Sequence, residues 1–307
     1  MPPYIPLIID EKIMAYSDVR DLEWPNYEDL YLPKLVPFLR DAKQALQYIK
    51  DLQLGKDAII LATYPRSGTH WIWEITGMLL KGKAEYSKVS REQVFVEGLS
   101  DMSQMQSYNG VISTHVPFEW LPKQHVDNGG KIIYVVRNPK DTAVSIHSFL
   151  CSIGLIRSNT FEEFIHELYL GRKAMYGGWF EYNKSFIQEA RRRDQILMLS
   201  YEKLKRNTEA EIRRLASFLG VKCTEGLITE ISELTSFSKL QQADKSVRED
   251  KKMADIMKEL QLNEAPTVYR KGEIGDWKNY FTVALNEEFD KAYAERMNDV
   301  DLQIEFE

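Results

Sequence analysis

Apolar positions along the chain fall into two patterns. Three short runs are almost continuously apolar and rich in β-branched residues: 57–62 (DAIILA), 131–137 (KIIYVVR) and 195–201 (QILMLSY). Runs this short, without alternation, predict strands buried on both faces. A fourth short strand, Val111–Thr114, follows the turn signal Asn109-Gly110. Elsewhere the apolar residues recur at helical period, over 34–54 until Gly55, over 71–81 (WIWEITGMLLK), over 142–150 and from Val283 onward.

Polar punctuation refines the boundaries. Asp141 is the expected N-cap of the helix over 142–150. Thr160 with Glu163, and Thr208 with Glu211, have capping-box spacing, and Gly220 ends the second of these helices. Residues 1–33, rich in Pro, Tyr and acidic residues, predict an irregular lead-in. Residues 84–108 are polar with scattered aromatics. Residues 241–268 are charged and aperiodic, the pattern of a surface excursion, and 270–282 form a glycine-punctuated basic-aromatic loop. Strands alternating with helices predict an α/β fold, a central parallel sheet flanked by helices, with residues 1–307 as a single domain. In such sheets ligands gather at the carboxyl ends of the strands.

Composition narrows the function classes. A net charge of −6 argues against general nucleic-acid binding, and 44% hydrophobic with 28% charged residues is ordinary for a globular domain. Two distant cysteines, Cys151 and Cys223, give neither a disulfide framework nor a metal spacing and fit a cytoplasmic protein. The amino terminus lacks the basic start and apolar core of a signal peptide, and no run is long enough to span a bilayer, so no membrane partner is expected.

The chemistry concentrates between the first strand and its helix, at Thr63-Tyr64-Pro65-Arg66-Ser67-Gly68-Thr69-His70-Trp71. Pro65 ends the strand, Gly68 permits close backbone approach, and Thr69 can cap the helix or hold a phosphate oxygen. Helix-terminal N–H groups, Arg66 and two hydroxyls converge as an anion site. The segment 77–84 (GMLLKGKA) approaches the spacing of a nucleotide P-loop. It ends in Ala84, without a hydroxyl for magnesium, and is preceded by helix rather than strand. A second cationic segment, Arg137-Asn138-Pro139-Lys140-Asp141-Thr142-Ala143-Val144-Ser145, places an Arg at a strand end and a Ser one helical turn further on. Arg270-Lys271-Gly272 adds a third. Three anion-binding segments on one sheet imply a ligand with several phosphate-like groups.

These segments, in this order and spacing, resemble those of the cytosolic sulfotransferases. TYPRSGTHW is similar to that family's 5′-phosphosulfate loop, RNPKDTAVS to its 3′-phosphate segment and RKGEIGDWKNYFT to its C-terminal Arg-Lys-Gly loop. The resemblance implies a sulfotransferase fold and transfer of a sulfuryl group from PAPS (3′-phosphoadenosine 5′-phosphosulfate), giving PAP (adenosine 3′,5′-bisphosphate), to a hydroxyl or amine of a small aromatic or hydrophobic acceptor, without a metal. Carried over by position, Arg66, Ser67, Gly68 and Thr69 would hold the phosphosulfate, and the adjoining His70 is counted with the cofactor-binding residues. Arg137, Ser145, Arg270, Lys271 and Gly272 would hold the 3′-phosphate. Trp71, Tyr201, Thr235 and Phe237 would contact the nucleotide. His115 matches the catalytic base, assisted by Arg66 at the leaving oxygen and by Ser145. Lys278, Thr282, Val283 and Glu287 match a dimerisation pattern, which implies a homodimer through 278–287. Phe118 and Phe149, with Trp120 nearby, are candidate acceptor-pocket residues. Taken alone, Trp71, Phe237 and these aromatics read equally as core.

Three positions depart from the family's pattern. Arg66 stands where Lys is usual, Ser113 where Lys is common two residues before the base, and His70 where Thr or Asn is common. Arg66 keeps the charge but does not readily give up a proton. Two alternatives accompany the main reading: a PAPS-dependent dehydratase, in which sulfonation is followed by elimination, and a nucleotide-binding protein with little turnover.

Overall fold

The apolar runs become one sheet in a computed structural model that describes residues 19, 22–88, 91–99, 101–157, 160–248 and 269–307. A two-residue-per-strand hairpin, β1 (Asn26–Tyr27) and β2 (Leu30–Tyr31), precedes helix α1 (Val36–Asp51). Strand β3 (Ile59–Thr63) then leads into α2 (Thr69–Lys81). Strands β4 (Val111–Thr114) and β5 (Lys131–Val136) follow, and β5 feeds α3 (Pro139–Ser152). Next come α4 (Gly178–Ala190), β6 (Ile196–Ser200), α5 (Tyr201–Arg206), α6 (Thr208–Leu219), α7 (Glu225–Leu234) and α8 (Phe237–Arg248). Helix α9 (Val283–Met297) is the last.

Strands β3 to β6 pair in the order β4-β3-β5-β6, all parallel. Both faces are covered, which is why the runs are continuously apolar rather than alternating. Ile60, Ile112, Ile132 and Tyr134 face a cluster shared with α1, α3 and α4. Ile59, Leu61, Ile133, Val135 and Leu199 face a second cluster with α2, α6 and α7. Register sets where chemistry can happen. Ala62 lies beside Thr114 and Tyr134, and Val136 beside Ser200. The residues leaving the sheet, Tyr64, His115, Arg137 and Tyr201, therefore emerge along one edge.

Several local expectations are corrected. Asn138, not Asp141, caps α3, accepting the Asp141 N–H at 2.8 Å. Gly68, not Thr69, is the N-cap of α2, and no side chain caps that end. Thr208 donates its hydroxyl back to the Leu204 carbonyl, and Asn207 caps α6 through the Ala210 N–H at 3.1 Å. Thr160 precedes the short helix Phe161–Phe164 but spends its hydroxyl on the Arg157 carbonyl, so that box does not form. At α3 and α6 an asparagine three or one positions earlier offers the better-placed acceptor. Residues 241–248 continue α8 rather than loop out; 249–268 of the expected excursion lie outside the described residues, as do 1–18, 20 and 21 of the lead-in. Gly220 ends α6 in the left-handed region, as read from the sequence.

Asp141 has a different task from the one expected. Its carboxylate accepts the Gly275 N–H at 2.8 Å, the Trp277 N–H at 2.9 Å and the Asn138 side-chain amide at 2.8 Å. It thereby pins the loop after 270 onto the start of α3. Lys140 reinforces the joint, reaching Asn286 at 2.6 Å and lying 4.3 Å over the Trp277 ring. Asp141 is 1% exposed. Asp141→Ala strands two backbone donors and is expected to cost about 3 kcal/mol. Urea unfolding checks this, and an unchanged midpoint would show that the loop is held by other means.

Candidate active site

The turn after β3 is built to present polar groups. Arg66 occupies the left-handed region at φ +67°, unusual for a residue with a Cβ, and Gly68 follows at φ +98°. A Cβ on Gly68 would sit 2.9 Å from the Tyr201 ring, so the backbone runs against that ring where only glycine fits. The turn leaves the first N–H groups of α2 facing outward without a side-chain cap. Ser67 is fully buried, and its hydroxyl has no hydrogen-bond partner among the described residues.

Arginines gather around this turn. Arg66 donates from Nε to Ser145 Oγ at 3.1 Å. Arg137 donates from Nη1 to the Arg66 carbonyl at 2.9 Å and lies 4.3 Å over the Tyr201 ring. Tyr201 meets Trp71 edge-on at 5.7 Å. Burial pushes the Arg66 guanidinium down to about 10, and the charges of Arg137, Arg270 and Arg91 push it the same way. A buried guanidinium with three like charges acting on it is a site that gains by taking an anion. The Nε atoms of Arg137 and Arg270 are buried without partners among the described residues. These orphaned donors, with the Ser67 hydroxyl, match the acceptor oxygens of a phosphate-rich ligand.

The third segment closes over the same place. Gly272 lies in the left-handed region, and a Cβ there would fall 2.3 Å from the Phe237 ring. Phe237 meets Tyr269 edge-on at 6.0 Å, and Tyr269 meets His70 at 6.1 Å. Arg270 and Lys271 both bind Asp276, at 2.5 and 2.7 Å. Lys271 is exposed, whereas Arg270 is close enough to act on Arg66. Thr235 is buried and gives its hydroxyl to the Ile231 carbonyl at 2.7 Å, the end of its own helix.

His115 follows β4 immediately. Its Nδ1 lies 2.7 Å from the Thr63 carbonyl and 3.2 Å from Thr63 Oγ1, which in turn lies 2.6 Å from Thr69 Oγ1. A carbonyl only accepts, so Nδ1 carries the proton and Nε2 keeps its lone pair. Burial holds the imidazole down to about 3; the Arg91 and Arg66 charges act with it, against the Thr63 carbonyl. The ring is therefore neutral near pH 7 and able to take a proton at Nε2.

Four neighbours of His115 lie in the stretch the sequence left unassigned or in a loop it did not single out. Phe95 is 5.1 Å from the imidazole and Tyr176 is 5.9 Å from it. Glu97, fully buried, accepts the His115 backbone N–H at 2.5 Å, and burial raises its carboxyl to about 7. Arg91 donates to Ser113 Oγ at 3.2 Å. They sit in 3₁₀ turns and irregular backbone, which carry no periodic signal. A carboxylate amid Phe95, Val96 and Gly98 was the one cue available. Of the expected acceptor residues, Phe149 lies 5.1 Å beneath the Arg66 guanidinium. Phe118 packs edge-on to Phe186 at 5.6 Å, and Trp120 packs against Tyr27 at 6.0 Å. Val283 is 77% exposed, beside Thr282, which caps α9, and Lys278, which pairs with Glu307.

Comparison with known proteins places the chain among relatives of one kind. A family model described as a sulfotransferase domain matches residues 56–301. Sulfotransferase 1B1 of Mus musculus is 35% identical over 282 residues, covering 83% of this chain and 88% of that protein. Sulfotransferase 1E1 of Bos taurus is 30% identical over 289 residues, covering 89% and 95%. Among solved structures, mouse sulfotransferase SULT7A1 complexed with PAP aligns with a TM-score of 0.68 at 26% identity, over 90% of this chain and 95% of that one. A retinol dehydratase in complex with androsterone and PAP shares the fold, with a TM-score of 0.68 at 20% identity over 86% and 87%.

Proposed function

The chain belongs to the sulfotransferase family, and from that premise we propose that it transfers a sulfuryl group from PAPS to a hydroxyl or amine of a small aromatic or hydrophobic acceptor, with His115 as general base. The observation that carries this reading is the juxtaposition at adjacent strand ends. A neutral imidazole with a free Nε2 lone pair stands one hydroxyl away from a turn flanked by Arg66 and Arg137. The orphaned Ser67 hydroxyl and the Arg137 and Arg270 Nε donors fit the nucleotide's phosphate groups.

When bound, PAPS supplies a sulfuryl group already joined to a phosphate leaving group. The protein's part is positional and electrostatic. His115 Nε2 takes the acceptor's proton as its oxygen or nitrogen bonds to sulfur, while the electron pair of the breaking sulfur–oxygen bond stays on the phosphate. Arg66, held by Ser145, stabilises the charge that develops there, as a fixed cation rather than a proton donor. Arg137, Ser145, Arg270, Lys271 and Gly272 form the 3′-phosphate end in this reading. Trp71, His70, Tyr201, Thr235 and Phe237 flank the nucleoside. Phe95, Tyr176 and Phe149 give the acceptor side an aromatic wall, favouring a flat apolar acceptor. Phe118 extends that wall.

Calorimetric titration with PAP, beside ADP and without magnesium, tests the donor site. Tight binding that requires the 3′-phosphate supports it; equal affinity for the two nucleotides overturns it. Residues 1–307 act in this reading as one domain, in the cytoplasm and as a homodimer through Lys278, Thr282, Val283 and Glu287. An apolar Val283 at 77% exposure is what a partner surface would cover. Val283→Glu is expected to halve the mass measured by light scattering; an unchanged mass would place the contact elsewhere.

A further inference from the structure

We propose that Arg91 is a further residue of the transfer site, a cation that binds the sulfuryl end of the donor beside His115. The proposal rests on the PAPS-dependent reading above. Arg91 begins a 3₁₀ turn, Arg91–Val94, that runs beside β4. Two contacts aim its guanidinium at the sheet edge. Nη1 donates to Ser113 Oγ at 3.2 Å, and Ser113 is fully buried two residues before His115. The guanidinium lies 4.9 Å over the Phe95 ring, which itself lies 5.1 Å from the His115 imidazole. Phe95 is bridged in parallel to Ser113, which fixes the turn against the strand.

The charge reaches both sides of the transfer point. Arg91 acts on His115 and, separately, on Arg66, lowering each. Its charge thus reaches the base and the phosphosulfate-loop arginine, the two groups that in the reading above flank the space for the sulfuryl group. That space is where the bond to sulfur forms and breaks. In that reading Arg137 and Arg270 hold the 3′-phosphate, so a sulfuryl group would otherwise meet Arg66 alone. The strand position two residues before the base carries an uncharged Ser113. Here that small hydroxyl orients the guanidinium instead of providing charge itself. A merely structural account also exists: Arg91 acts on Glu97, the buried carboxylate behind His115, and could serve as its counter-charge.

Binding separates the accounts without any acceptor. PAP lacks the sulfuryl group, and PAPS has it. Arg91→Met is expected to leave the Kd for PAP within about twofold and to weaken PAPS about tenfold or more, the loss of one charge-assisted contact. Arg91→Lys should keep most of the preference. Arg91→Met combined with Ser113→Lys, which moves the cation onto the strand, should restore it. Arg91→Met combined with Glu97→Gln should not. If Arg91→Met alone does not fold, the Ser113→Lys double variant carries the test, and a folded double variant without preference for PAPS overturns the proposal. Equal loss of PAP and PAPS, no loss of either, or recovery through Glu97→Gln would also overturn it. Failure of the unsubstituted protein to bind PAP is a distinct result: it removes the donor reading itself.

Discussion

His115→Ala is expected to lower PAPS-dependent transfer by about three orders of magnitude while leaving PAP affinity within about twofold, the range associated with loss of a positioned base. The split follows from geometry. The imidazole contacts Thr63 and the acceptor-side aromatics, Phe95 and Tyr176, but neither Arg137 nor Arg270. Its removal takes away a proton acceptor and spares the anion-binding turn. Rates measured over a panel of simple phenols and alcohols, with PAP titrated into the same variant, check both halves. Normal turnover would remove His115 from the mechanism, and loss of PAP binding would recast it as a support for the turn.

The same histidine gives a pH expectation with a defined sign. Its folded value is pushed below the ordinary 6.5, first by burial and then by Arg91, so the basic form persists into acid. The profile of kcat/KM for the donor, which reports the free protein, should stay flat between about pH 5.5 and 7.5 on its acid side. Donor binding brings anionic charge beside Arg66 and Arg91 and offsets their effect, so the limb in kcat should lie at higher pH than the limb in kcat/KM. An acid limb near 6.5 in kcat/KM would mean that the imidazole is solvated.

Arg137→Ala is expected to weaken PAP about a hundredfold and to abolish discrimination between PAP and ADP. Two effects add. The variant loses a guanidinium whose Nε is buried and unpartnered, a donor available to phosphate. It also loses the bond from Nη1 to the Arg66 carbonyl, which braces a residue held at φ +67°. Arg137→Lys restores charge without the fork and should recover only part of the affinity. Calorimetry with both nucleotides decides it, and a variant that still prefers PAP over ADP would assign the 3′-phosphate to other groups.

Much of the frame was legible along the chain. Three short apolar runs specified three of the four buried parallel strands, because a strand covered on both faces leaves few polar positions to interrupt it, and the turn signal Asn109-Gly110 marked the fourth. The segments carrying Arg66, His115 and Arg137 could be assigned to strand ends for the same reason. Helix starts were less legible. Asp141 had the composition of a cap, and the fold used it to hold the Gly275 and Trp277 amides, 134 and 136 residues away. A cap and a long-range acceptor are the same chemistry, and only packing chooses between them.

The sequence by itself determined the sheet, the three cationic segments and their order, since hydrophobic period and local turn chemistry are short-range properties of the chain. Tertiary structure alone decided which atoms meet. Parallel register set His115 against the Thr63 carbonyl and so fixed its tautomer. The bridge between Phe95 and Ser113 brought Arg91 and Glu97, from backbone without periodicity, to the same imidazole. Burial then set its charge state. Such placements depend on contacts between residues distant in the chain and on the exclusion of water, and neither is encoded at any one position.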